Sequence, residues 1–344
     1  MQAEKNFSEQ ISTAEALIRI FEANKVEYVF GIPGGNSMII YDALYDHRSS
    51  IRTILVRHEH LAGVMAEAYG RLSGKPGVAL GQGLFMLSNA LLGVLEAHLG
   101  CSPMIVIGDL TDGAPYSQHA PYQSGTGEYG TWDAKTCFSG ATKLTLEAHA
   151  PVQALQQVQI AFKHAQSGAC GPVALLMHSR ALQEPLPPDA RPTLYPLHDY
   201  RSNPPQPDPK AVKAAAELLG ASRQPVIIAG NGIRTAKASA ALMRLAVHSG
   251  AAVATTASGK GVFPETHPLA LGLFGTFGLP AANAFVAEAD LVLAVGTKLA
   301  PSDTILEHEG LIDPARQQII QIDIEPKNAN WTFPCDLSLC ADAA

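Results

Sequence analysis

Charged residues, aromatics and cysteines are all sparse in this chain, and no apolar run in it is long. Charged side chains make up 16% of its 344 residues and aromatics 6%, and the net charge is -7. So mild an acidic excess favours solubility and leaves no electrostatic footprint for nucleic acid. The five cysteines (Cys101, Cys137, Cys170, Cys335, Cys340) are odd in number and lack Cys-x-x-Cys spacing. That argues against a disulfide framework or a zinc site and fits idle thiols in a reducing compartment. No uninterrupted apolar stretch reaches the roughly 20 residues that a membrane-spanning helix needs. The N-terminal MQAEKNFSEQIST is polar and has no signal-peptide core. The expectation is a cytoplasmic protein with neither membrane nor nucleic acid as partner. The second half also lacks a Gly-x-Gly-x-x-Gly dinucleotide fingerprint.

What is present is an α/β rhythm, in a chain long enough for two domains. Thr13 to Asn24 carries apolar residues at helical spacing (Ala14, Leu17, Ile18, Phe21), with Ser12 or Thr13 as N-cap. Strands are predicted at Val26 to Phe30, Ile51 to Val56, Val78 to Leu80, Pro103 to Gly108 and Val173 to Met177. Helices are predicted from Leu61 to Arg71 and from Leu87 to Leu99. Continuous apolar runs bounded by Gly or Pro suit parallel strands covered on both faces. Residues 184–209 are dense in proline and read as an interdomain linker. Beyond it, Pro225 to Gly230, Ala252 to Thr255, Asp290 to Gly296 and Gln318 to Ile324 are further strands. The predicted architecture is two open, mostly parallel α/β domains, 1–183 and 210–344, joined by that linker.

The segment Arg57-His58-Glu59-His60 lies between a strand and an amphipathic helix. In an open α/β sheet, ligands bind at the carboxyl ends of strands. An acid at a helix start also complements the helix dipole without any ligand. Histidines adjacent in sequence rarely converge on one ion, so no metal is expected here. The turn Gly31-Ile32-Pro33-Gly34-Gly35-Asn36 lets a ligand approach the backbone closely, but such a turn is common. The loop Tyr116 to Thr131, with His119 and Gln123, is polar, glycine-rich and long enough to be functional.

Taken in order, VFGIPGGNSMIIYDAL, ILVRHEHLAGVMAEAYGRLSGKPGVAL and SNALLGVLEAHLGCSPMIVIGD resemble the pyrimidine-binding domain of thiamine-diphosphate enzymes. The similarity is to the acetolactate synthase and glyoxylate carboligase branch. ATTASGKGVFPETHPLALG, DLVLAVGTKL and IIQIDIEP resemble the Rossmann-like central domain of the same family. The resemblance implies thiamine diphosphate as cofactor and places Glu59 against N1′ of its aminopyrimidine. A carboxyl there favours the imino tautomer that removes the thiazolium C2 proton. It further implies that Gly34 and Gly35 line the substrate side, that Gln123 faces the reaction centre, and that Asn89 belongs to the cofactor pocket. Gly35 matches the acetolactate-synthase pattern rather than that of the decarboxylases.

Two departures qualify the resemblance. Leu84, Phe85 and Met86 stand where the family has a Gly-Pro-Gly run before Asn89. The Gly-Asp-Gly segment and later Asn or Asp that hold diphosphate and Mg²⁺ in the family have no counterpart here. Gly108-Asp109-Leu110 is a strand end without the second half of that pair, and Mg²⁺ needs several oxygen ligands. The implied protein is one subunit of a split carboligase, with Mg²⁺ bound through a partner chain that carries the diphosphate-binding domain. It would decarboxylate a small 2-oxo acid such as pyruvate and transfer the acyl group, as part of a hetero-oligomer. A non-catalytic scaffold or regulatory subunit and a split 2-oxo acid decarboxylase are the alternatives. FAD is bound by the central domain of some relatives. Here Gly230-Asn231-Gly232, Thr256, Gly259-Lys260-Gly261, Gly296-Thr297-Lys298 and Asp323-Ile324-Glu325 occupy the corresponding strand ends.

Overall fold

A computed structural model describes residues 11–111, 121–128, 131–187, 194 and 204–344. The chain divides into two compact units, residues 1–202 and 203–344. Each contains a six-stranded sheet in which every strand pairs parallel with its neighbours. No helix among the described residues is long and apolar enough to cross a membrane.

The first unit opens with helix α1 (Thr13–Ala23), whose N-cap Ser12 accepts the Glu15 amide at 3.1 Å. Strand β1 (Tyr28–Gly31) leads through a short 3₁₀ turn (Gly35–Ser37) into α2 (Met38–Asp46). Strand β2 (Arg52–Leu55), α3 (Glu59–Ser73) and β3 (Gly77–Gln82) follow, and Gly74 closes α3 in the left-handed conformation at φ 70°. Then come α4 (Gly83–Asn89), α5 (Leu91–Leu99), β4 (Met104–Leu110), the turn-length α6 (Pro121–Ser124) and α7 (Ala134–Ser139). Strand β5 (Leu144–Ala148), α8 (Pro151–Gln166), β6 (Pro172–His178) and α9 (Ser179–Gln183) complete the unit. The sheet order is β2-β1-β3-β4-β6-β5.

Alternate strand residues point to opposite faces. Val29, Leu80, Ile105, Ile107, Val173 and Leu175 pack under α1 and α8, where Phe21 meets Phe162 edge-on. Phe30, Ala79, Val106, Ala174 and Leu176 pack against α3, α5 and α7 through Ala62, Ala66, Val94 and Phe138. Every residue of β4 and β6 is buried, which is why both read as unbroken apolar runs.

In the second unit the order is β12-β11-β10-β7-β8-β9, formed by β7 (Pro225–Ala229), β8 (Ala252–Thr255), β9 (Ala270–Leu273), β10 (Leu291–Val295), β11 (Gln318–Asp323) and β12 (Leu337–Cys340). The chain runs outward from β7 to β9, then returns to the other side of β7, so the order reverses between β7 and β10. Glycines crowd that point: a Cβ on Gly230 would stand 2.2 Å from the Gly296 carbonyl oxygen, and the Gly232 amide donates to the same oxygen at 3.0 Å.

The fold class read from the sequence holds, with three local differences. Strands β5, β9 and β12 carry no strong sequence signal; all three are sheet edges and all are short. The single helix expected from Leu87 to Leu99 is two, broken at Ala90, and the first begins earlier, at Gly83. The proline-rich stretch begins within the first unit rather than beside it: Leu186 is buried in its core and Leu194 packs on that core. Residues 188–193 and 195–203 of that stretch lie outside the description.

Candidate functional site

The carboxyl ends of β1, β2, β3 and β4 gather the candidate residues of the first unit. Glu59 is the first residue of α3, with His58 as N-cap. It therefore stands at a helix start, where negative charge is favoured. Asn89 ends α4, thirty positions later, and its Nδ2 donates to Glu59 Oε2 at 2.8 Å. The contact depends on a close crossing of α3 and α5. A Cβ on Gly93 would stand 2.1 Å from the carbonyl carbon of Gly63, and one on Gly63 2.6 Å from the Ala90 oxygen. Only two facing glycines let the helices touch there, and that brings Asn89 onto the first turn of α3. Among the described residues, Glu59 Oε1 receives no hydrogen bond, and the side chain is half-buried.

The loop after β1 is held from below by Asp109, near the end of β4. Asp109 is 4% exposed, and its Oδ2 accepts the Asn36 amide in a short hydrogen bond. Its Oδ1 is buried with no partner. Burial pushes this carboxyl up to about 6, against the backbone hydrogen bonds around it, which pull the other way. Gly35 takes φ +53°, and a Cβ there would lie 2.4 Å from Asp109 Oδ2, so backbone and packing both require glycine. Gly34 is different. Its φ is -176°, open to any residue, and an added Cβ would meet only Gln82 at 3.6 Å. The bare backbone at Gly34 leaves space beside Gln82 rather than filling a tight contact. Asn36 is further tied by Gln183, whose Nε2 donates to its Oδ1 at 2.7 Å.

Tyr41, on α2, donates to the Leu80 carbonyl at 2.8 Å. Burial first, and the nearby Glu59 carboxylate second, hold its phenol well above the ordinary tyrosine range. It stays protonated and forms part of the wall around Glu59. Gly31 makes room for it: a Cβ there would stand 2.3 Å from the Tyr41 hydroxyl.

The structure thus brings Glu59 and Asn89 together and places Gly34 and Gly35 on the adjoining strand end. Gln123 is tied to the end of β4, its carbonyl accepting the Thr111 amide at 3.1 Å and its Oε1 the Thr111 hydroxyl at 3.4 Å. No hydrogen bond among the described residues joins it to Glu59 or Asn89. His119 lies outside the described residues. Of the three bulky residues before Asn89, Met86 is fully buried and packs into the core, while Phe85 is exposed and Leu84 half-buried. Sequence reasoning missed Tyr41 and Gln82 altogether and weighed Asp109 only as a metal ligand. The one available signal for Asp109 was an acid inside an otherwise apolar run, MIVIGDL.

At the carboxyl rim of the second unit, Arg234 donates to the Ser258 carbonyl at 2.8 Å and to the Lys260 carbonyl at 2.7 Å. Gly230, Gly232, Gly259 and Gly296 there pack backbone on backbone, whereas Gly261 takes φ +86° with open space around it. In the first unit, Gly125-Thr126-Gly127-Glu128-Tyr129-Gly130 does have Gly-x-Gly-x-x-Gly spacing. It follows the helical turn α6 rather than a strand, so it is no dinucleotide fingerprint.

The chain is 34% identical over 340 residues to a probable acetolactate synthase large subunit of Methanocaldococcus jannaschii, covering 96% of this chain and 54% of that protein. It is 33% identical to the corresponding protein of Methanococcus aeolicus, covering 96% and 53%. It is 32% identical to a probable 2-ketoarginine decarboxylase of Pseudomonas aeruginosa, covering 97% and 56%. The chain therefore spans about half the length of the curated relatives it matches. Residues 11–125 match the thiamine pyrophosphate enzyme N-terminal TPP binding domain and residues 212–344 the central domain. An acid at the start of α3, a glycine-lined strand end beside it and two doubly wound units in this order have one common explanation: the chain belongs to the thiamine pyrophosphate enzyme family.

Proposed function

We propose that this chain is the pyrimidine-binding and central portion of a thiamine-diphosphate-dependent carboligase of the acetolactate-synthase type. The observation that carries the reading is the Glu59 carboxylate, with one oxygen fixed by Asn89 and the other without a partner among the described residues, beside the open backbone at Gly34. That arrangement fits the aminopyrimidine end of the cofactor. When bound, the cofactor supplies a carbanion nucleophile and an electron sink for decarboxylation of a 2-oxo acid such as pyruvate.

The chain's own residues do the rest. Glu59 Oε1 holds N1′ through a hydrogen bond, and Asn89 keeps the carboxylate from rotating away. Tyr41 and the α3 start exclude water from one side of it, which strengthens the contact. Gly34 and Gly35 form the substrate side, with Gly35 fixed by Asp109. Gln123, held at the end of β4, orients the substrate.

The diphosphate and Mg²⁺ are gripped by residues outside these 344, because a paired Gly-Asp-Gly and Asn motif does not occur among them. Two helices near Glu59 support an interface. Leu61, Met65 and Leu72 on α3, and Leu92, Leu95 and Leu99 on α5, are exposed at helical spacing. A hetero-oligomer covering them completes the site. FAD has no role in this proposal, since the glycine contacts at the rim of the second unit require none.

The test supplies the diphosphate-binding domain in trans and follows thiamine-dependent CO₂ release from pyruvate. Glu59→Gln is expected to abolish release, and a variant with full activity refutes the assignment. Calorimetry with thiamine diphosphate, with and without the partner, addresses a scaffold role: tight binding only in the complex supports catalysis. The similarity to a probable 2-ketoarginine decarboxylase favours a second reading, a decarboxylase that releases a free aldehyde. Product analysis separates the two, because a carboligase yields an acetohydroxy acid or acyloin.

A further inference from the structure

A second cluster of ionisable groups lies on the same sheet rim, at the ends of β6 and β5, three and four strand positions from β1. Glu147 is the penultimate residue of β5, His149 follows that strand, and His178 ends β6. One ligand atom from each lies within 4.8 Å of the others, and among the described residues this is the one such group. His178 Nε2 is 2.8 Å from Glu147 Oε1, and His149 Nε2 is 3.8 Å from the same oxygen. His178 is 3% exposed and, among the described residues, its Nδ1 has no hydrogen-bond partner, so Glu147 supplies the hydrogen bond to its ring. The register explains the convergence: Ala148 pairs with Met177, which puts the next residue of each strand side by side.

We propose that Glu147, His149 and His178 form a site for a zinc-class divalent ion, with water in the remaining position. Two imidazoles and one carboxylate suit zinc, bound at about 2.0–2.2 Å, and favour it over magnesium. Donors around such an ion stand roughly 3.3 Å apart for tetrahedral bonds of that length. Closing the present spacing takes a tilt of one ring. His149 and His178 are stacked at 4.1 Å with 21° between their planes. The His149 side chain is 58% exposed, against 4% for His178, so His149 is the ring free to turn. Glu147 and His149 face one nearby cation. Lys135 is the opposing cation in range of both groups; it is exposed and free to point into solvent.

The site is independent of thiamine chemistry, and so is its test. The intact chain is titrated with zinc chloride in chelator-free buffer by calorimetry at about pH 7.5, where imidazole ligands are neutral. A single zinc per chain is expected, with a Kd of about 10 µM or tighter and a rise in melting temperature on binding. Magnesium should give no heat. His149→Ala and Glu147→Gln should each weaken zinc at least about tenfold. His149 is exposed, so its variant keeps the fold, and an unchanged far-ultraviolet CD spectrum checks this. Zinc bound no more tightly than about 1 mM, affinity unchanged in both variants, or binding abolished by alkylating the cysteines would each overturn the proposal.

Discussion

Asp109 gives a prediction that needs neither cofactor nor partner. Its carboxyl sits at about 6, against an ordinary 3.8, because it is buried beneath the Gly35–Asn36 turn. A raised pKa in the folded state means that folding favours the protonated form. The contribution of Asp109 to stability is full below pH 3.8 and is lost as pH rises through about 6. Two pH units of difference correspond to about 3 kcal/mol by pH 8. Asp109→Asn keeps the shape and the acceptor for the Asn36 amide but cannot ionise. The stability of the variant relative to the parent should therefore climb by about 3 kcal/mol between pH 4 and pH 8. For a unit of this size that is on the order of 6–12 °C in melting temperature. Urea unfolding at each pH measures it, followed by fluorescence of Trp132, which packs on the core beside α3. Exposed Trp331 is replaced by Phe so that only the first unit reports. All other titrating groups cancel in the difference. Parallel stability curves for parent and variant would refute the reasoning, because they would mean that Asp109 titrates alike folded and unfolded.

The two neighbouring glycines should behave oppositely. Gly35→Ala places a methyl against Asp109 in a left-handed backbone and should cost about 1–3 kcal/mol in a thermal melt. Gly34→Ala should leave the melt within about 0.5 kcal/mol while weakening thiamine diphosphate binding in the complex. Asn89→Ala removes a hydrogen bond to a charged group and should lower thiamine-dependent turnover about tenfold, with the fold intact by CD. Buried Glu67, bonded to Arg71 at 2.6 Å and Ser102 at 2.7 Å, is a structural counterpart. Glu67→Ala leaves Arg71 with Glu96 at 3.6 Å but takes the acceptor from the buried Ser102 hydroxyl, and should cost about 1–3 kcal/mol in urea unfolding without a selective effect on turnover.

Much of the scaffold was legible because both sheets are covered on two faces. MIVIGDL and PVALLMH are wholly buried, and burial of that kind leaves an apolar run that needs no partner sequence to read. Edge strands lose this signature. In β5, four of five residues are only partly buried, and β9 is partly buried throughout. The place of Glu59 between a strand and a helix was legible from spacing, but a role for it came only from the family resemblance. Its bond to Asn89 was not, because the two meet through the Gly63–Gly93 crossing, which no local spacing encodes. Asp109 lies 73 positions from Asn36, and only the parallel alignment of strand ends makes them neighbours.

That crossing reaches further than its two glycines. A methyl group on either one would wedge α3 away from α5, and the N-terminal turn of α3 would swing with it. Glu59 would lose its alignment with Asn89 although neither residue had changed. Sensitivity of the Glu59–Asn89 pair to substitutions buried on the far side of a helix is therefore built into how this unit is assembled.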